Sequence, residues 1–164
     1  MIVMKLTDRM CRRLAAYVAA IGLTYIIVGV LELANAAYTL FIAPEAKQPL
    51  IGVTGIPADD IFGGLSALVI GAVFLRAIGL WRLERESMAY ILGGTLLSAV
   101  FGVVYLLIFA ADGLSALIAL AAGEEAEWLW LSELLRPEIW LFIASLPMAL
   151  VSWRSMLSGS REGD

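Results

Sequence analysis

Four long apolar runs dominate the hydropathy pattern, with short polar segments between them. They cover residues 14–42, 61–80, 88–111 and 139–156, the last being the shortest. At ~1.5 Å of rise per residue, each is long enough, or nearly so, to cross ~30 Å of hydrocarbon as a helix. The pattern predicts an all-α integral membrane protein, a four-transmembrane-helix bundle forming one domain over residues 1–164.

The polar segments differ in character. The connection 81–87, "WRLERES", is short, which makes the second and third spans antiparallel neighbours. The connection 43–60 carries Pro44, Pro49, Gly52, Gly55 and Pro57 and reads as irregular. The connection 112–138 is longer. Its stretch 114–122 is apolar but too short to span, so it is expected to dip into the interface or pack on the bundle. The following "EEAEWLWLSELL" places Trp128, Leu131 and Leu135 on one helical side and predicts a short amphipathic helix covering the outer end of the bundle. Pro137 suits the first turn of the last span, where its missing N–H costs nothing.

Basic residues orient the chain. With both termini cytoplasmic, that side holds Lys5, Arg9, Arg12, Arg13, Arg76, Arg82, Arg85, Arg154 and Arg161, and the other side only Lys47 and Arg136. Nine against two is the positive-inside asymmetry, and it predicts N-in, C-in insertion in the cell membrane. Trp81 and Trp153 at the inner boundary and Trp128, Trp130 and Trp140 at the outer one form the matching aromatic belt. The first run also resembles a secretion signal, with Ala34-Asn35-Ala36 after a basic start. Its apolar core exceeds the ~7–15 residues of such signals, which favours an uncleaved first span.

Composition sharpens the class. Apolar residues make up 62% and charged residues 16%, with a mean hydropathy of +0.91, against ~45–50% and ~25% in soluble domains. The net charge of −4 excludes the basic face that nucleic acid requires. With no histidine and only Cys11, the chain has no means for bis-His haem, His-ligated metal, Ser-His catalysis or internal cysteine clusters, so no cofactor is expected.

Helix association within lipid depends on close packing. Gly63, Ala67 and Gly71 repeat at four-residue spacing in the second span, and Gly94, Ser98 and Gly102 do so in the third. These stripes predict a groove-to-groove contact between the two. Pro147 interrupts the last span and frees the carbonyl of Ile143, for which Ser145 or a neighbouring helix is the expected donor.

Ionisable groups within spans are functional candidates. Arg76 lies near enough to the inner boundary to snorkel. Glu32 lies about one turn below the outer surface, on a small and polar stripe with Tyr25, Gly29, Asn35, Ala36 and Thr39, so it is expected to face protein or a water-filled crevice. Asn35 is within reach at i+3. Acids crowd the same side: Glu45, Asp59, Asp60, Asp112, Glu124, Glu125, Glu127, Glu133 and Glu138. Every span thus has an acid near its outer end. Glu32, Asn35, Asp60 and Asp112 form the candidate polar or cation site, although no EF-hand spacing is present, and Asp60 and Glu138 also suit helix N-termini.

These features fit a small non-catalytic membrane subunit or assembly partner, associating with other membrane subunits or with itself in the lipid bilayer. A cation- or proton-linked transporter, oligomerising around Glu32, is the alternative. A membrane enzyme acting on lipid or quinone comes third, because no nucleophile has a base beside it.

Overall fold

The computed structural model describes residues 8–42, 44, 50–52, 55–82, 86–123 and 133–160. Four helices carry the fold: α1 (Asp8–Ala37), α2 (Ile61–Arg76), α3 (Glu86–Ala121) and α4 (Pro137–Ser160). A π-helical turn, Tyr38–Ile42, extends α1, and a 3₁₀ turn, Ala77–Arg82, extends α2. No strand occurs among the described residues.

Local chemistry sets the helix ends. Asp60 caps α2, its Oδ1 accepting from the Gly63 N–H at 2.7 Å. Pro137 opens α4. After α3, Gly123 adopts φ +82, a left-handed conformation that ends helices with little cost only for glycine. Gly55, at φ +91, packs on the backbone of Leu135 and brings the first long connection against the end of the second.

Cross-helix contacts define an up-down-up-down bundle. Gly22 and Gly29 of α1 lie against Gly71 and Gly64 of α2, in that order, so the two helices are antiparallel. Phe74 of α2 meets Gly94 of α3, and Gly102 of α3 meets Phe142 of α4. The circle closes where the Tyr17 hydroxyl donates to the Ala144 carbonyl of α4 at 2.7 Å. That carbonyl is one residue along from the one Pro147 frees, and Ser145 donates to Phe142 O at 2.7 Å. Neither donor reaches the Ile143 carbonyl itself.

The core runs along the bundle axis through Ala15, Val18, Ile21 and Tyr25 of α1, Ala67, Ile70 and Phe74 of α2, Met88 and Ile91 of α3, and Leu141 and Met148 of α4. On α1 the inward stripe continues in alternating steps of three and four through Gly29 and Glu32 to Ala36, all buried. Leu23, Ile27 and Val30 point away from it. The apolar surface is therefore on the outside, as a lipid solvent requires.

Three helical segments are long and apolar enough to cross a membrane: Cys11–Ile42, Ile61–Gly79 and Ser87–Ala121. Pro137–Trp153 is a shorter apolar helix. The third segment departs from expectation. Residues 114–121 are not a separate interfacial piece but the continuation of α3, which runs unbroken for 36 residues. Asp112-Gly113 does not break it, because one helical glycine costs only ~1 kcal/mol against alanine. The amphipathic stretch expected from Glu124 lies mostly outside the described residues.

Candidate functional site

Side chains from three helices and two connections converge where α2 and α4 begin. Asp60 is saturated. Its Oδ1 caps α2, while its Oδ2 accepts from the Tyr105 hydroxyl of α3 at 2.7 Å and from Arg136 Nη1 at 3.2 Å. The Arg136 guanidinium also lies over the Tyr105 ring, 5.3 Å from its centroid. This carboxylate is thus neutralised by one cation, held by two further donors and fixed in orientation.

Beside that ion pair sit two carboxyls in the opposite condition. Glu32 of α1 is 0% exposed and Glu138 of α4 is 3% exposed. They lie within hydrogen-bonding reach of each other and within electrostatic range of Asp60 and Arg136. Among the described residues, none of their four oxygens has a hydrogen-bond donor. Leaving a buried carboxylate without a donor costs several kcal/mol, so the arrangement calls for a positively charged or hydrogen-bearing guest.

Gly63 makes room for this assembly. A Cβ there would meet Tyr105 Oη at 2.7 Å, Glu138 Oε1 at 2.8 Å and Asp60 Cγ at 2.9 Å. Deeper in the bundle a hydroxyl chain takes over: Tyr25 Oη bonds Ser98 Oγ at 2.6 Å, and Ser98 bonds Ser145 at 3.1 Å. Tyr25 is itself within electrostatic range of Glu138. Toward the end of the bundle, Tyr105, Ile108, Phe109, Glu133 and Arg136 line a shallow cleft with no room for a water molecule between their side chains. Ligand pockets hold ~300–1,000 Å³, so this cleft takes no drug-sized substrate either.

Of the four residues grouped from sequence, the structure brings Glu32 and Asp60 together. Asn35 is fully buried, but it faces the connection: its Oδ1 accepts from Ile51 N at 3.0 Å and its Nδ2 donates to Ile51 O at 3.3 Å. Its amide therefore clamps a loop and gives nothing to Glu32. Asp112 is exposed, about two turns past Tyr105 on the prolonged α3, and stays apart. No group of three or more Asp, Glu or Cys side chains that could hold a metal occurs among the described residues. Arg136 and Tyr105 are not singled out for the site by the sequence, which offers Glu138 as a first-turn acid; the signal that points to them is an arginine two residues before Glu138, on a side nearly devoid of cations.

The packing residues also divide. Gly71 lies against α1, where a Cβ would meet Gly22 O at 2.9 Å, and not against α3. Gly94 receives the Phe74 ring and Gly102 receives Phe142. Ala67 is buried in the core, and Ser98 acts through its hydroxyl.

A family model described as the MJ0565 integral membrane domain matches residues 8–155. The chain belongs to the MJ0565 integral membrane domain family. The matched stretch spans α1 to α4 and contains every residue of the carboxyl cluster. No curated protein and no solved structure matches the chain. Membership in the MJ0565 family makes it a multi-pass helical membrane protein.

Proposed function

We propose that this member of the MJ0565 family is a four-span protein of the cell membrane, with both termini cytoplasmic. In this reading it serves as a non-catalytic subunit or assembly partner of a larger membrane complex. The basic residues carry the orientation, nine against two. The fourth span is α4, whose 24 residues measure ~36 Å, enough for a bilayer core.

One observation supports the partner role. At Tyr105, α3 is level with the starts of α2 and α4, yet it continues to Ala121, roughly 24 Å further. That overhang exposes Leu114 (60%), Leu117 (62%), Ile118 (61%) and Leu120 (58%). The whole of α3 measures ~54 Å, far more than the ~30 Å that hydrocarbon covers, so the surplus apolar surface needs a protein against it.

The test is mass measurement of the chain extracted from its native membrane into polymer nanodiscs. A stoichiometric partner is expected, released when Leu117 and Ile118 are both replaced by Glu. A monomer of one mass in both forms refutes the reading. Labelling of single cysteines placed at Asp59 and Arg12, in a Cys11→Ser background, reports the orientation. Asp59 should react from outside and Arg12 only after permeabilisation.

A second reading, an oligomeric proton- or cation-linked transporter, is favoured by the unpartnered Glu32 and Glu138. Proton or cation flux in liposomes that persists undiminished in Glu32→Gln removes it.

A further inference from the structure

The Glu32–Glu138 pair has four buried oxygens and no donor among the described residues. Every described charged or titratable group facing it is accounted for. Asp60 is occupied by Gly63 N, Tyr105 and Arg136. Arg136 is spent on Asp60 and on the Tyr105 ring. Tyr105 donates its one hydroxyl hydrogen to Asp60, and Tyr25 shares its own with Ser98. Among the described residues no neighbour is left to compensate the two carboxyls.

A divalent cation does not fit the pair. Calcium takes about 6–8 oxygen ligands, and magnesium demands near-octahedral coordination. Two carboxyls provide four oxygens, Asp60 is committed elsewhere, and the described residues include no metal-ligating triad. A proton needs only the two oxygens that face each other. It turns the pair into a short O–H···O⁻ bond, the strongest class of hydrogen bond proteins use. The one remaining negative charge then lies near the N-termini of α2 and α4, each carrying roughly half a positive charge.

We propose that Glu32 and Glu138 form a proton-binding site within the bundle, holding one proton between them. The proton comes from water and returns to it, and no other bond is made or broken. The site belongs to the isolated chain and stands whether or not a partner subunit binds.

Infrared spectroscopy of the full chain in nanodiscs at neutral pH tests this. The wild type should show the C=O band of a protonated carboxyl, shifted on transfer to D₂O. The band should vanish in the double variant E32Q/E138Q, whose amides supply the missing donors and whose helicity is checked by circular dichroism. No band in the wild type, or an undiminished band in the double variant, overturns the proposal. One reading on folded protein needs no change at the pair. Excess calcium chloride should leave the wild-type band intact; its loss would assign a divalent-cation site instead.

Discussion

Replacing Gly29 by alanine tests how α1 and α2 are held together. In an ordinary helix interior this change stabilises by ~0.5–1 kcal/mol, because glycine loses more backbone entropy on folding. Here the new Cβ would lie 2.7 Å from Gly64 O, 2.9 Å from Leu68 N and 3.0 Å from Leu68 Cγ, against the 3.4 Å at which ordinary contact begins. Two of those three atoms are backbone, so no rotamer change relieves the overlap and the helices must separate. Overpacking of this kind costs ~1–3 kcal/mol, which outweighs the entropic gain and leaves a net loss of roughly 1–2 kcal/mol. Gly93→Ala is the internal control, since a Cβ there meets nothing within 4 Å. It should be neutral or stabilising by up to ~1 kcal/mol. Reversible unfolding in mixed micelles, or steric trapping in bicelles, measures both on one scale. Opposite signs are expected. If Gly29→Ala is as stable as Gly93→Ala, the α1–α2 backbone contact does not hold the bundle and the reasoning fails.

Three further outcomes follow from other contacts. Asn35→Ala removes both hydrogen bonds to Ile51; faster amide exchange at Ile51 is expected, with a loss of ~1–3 kcal/mol in bundle stability. Tyr25→Phe and Ser98→Ala should be coupled, because each breaks the same 2.6 Å bond; a double-mutant cycle should give ~0.6 kcal/mol, the usual size for such bonds in membranes, and an additive pair would count against it. Gly63→Ala should displace Tyr105 from Asp60, seen as a change in tyrosine fluorescence, while stability falls by about 1–3 kcal/mol.

What the sequence revealed and what it concealed divide along physical lines. The inward stripe of α1 is legible because lipid leaves no other place for small and polar side chains: Tyr25, Gly29, Glu32 and Ala36 recur at helical spacing, opposite Ile27 and Val30. The partners of glycines are not legible in the same way. A stripe of small residues announces a groove without naming the helix that fills it. Gly63 and Gly64 are neighbours in sequence but ~100° apart around the helix, so one faces the carboxyls and the other faces Leu33 of α1. Read as one groove facing α3, Gly63, Ala67 and Gly71 conceal this division. Grouping Asp112 with the outer acids requires α3 to end there. The helix continues, and its length alone removes Asp112 from the cluster. The Asp60–Arg136 pair joins residues 76 positions apart, through a connection whose path no periodicity encodes.

The glycine contacts and the carboxyl pair are one construction. A carboxyl among loosely packed helices would draw water between them and find its donors there. Gly29 against Gly64, with Leu33 Cγ 2.8 Å from where a Gly64 Cβ would stand, closes the seam between α1 and α2 beside Glu32. That closure keeps solvent from the α1 side of the pair. On the adjoining face Gly63 does the reverse, leaving open the space that Glu138, Tyr105 and Asp60 occupy together. One glycine of α2 therefore seals the site and its neighbour accommodates it. At the end of the bundle the cleft beside Tyr105 and Arg136 has no room for water, and the Arg136 guanidinium there is already bound to Asp60. Glu32 and Glu138 lack donors because the packing that buries them is tight, so a variant that loosens α1 from α2 should also hydrate the pair and weaken its hold on a proton.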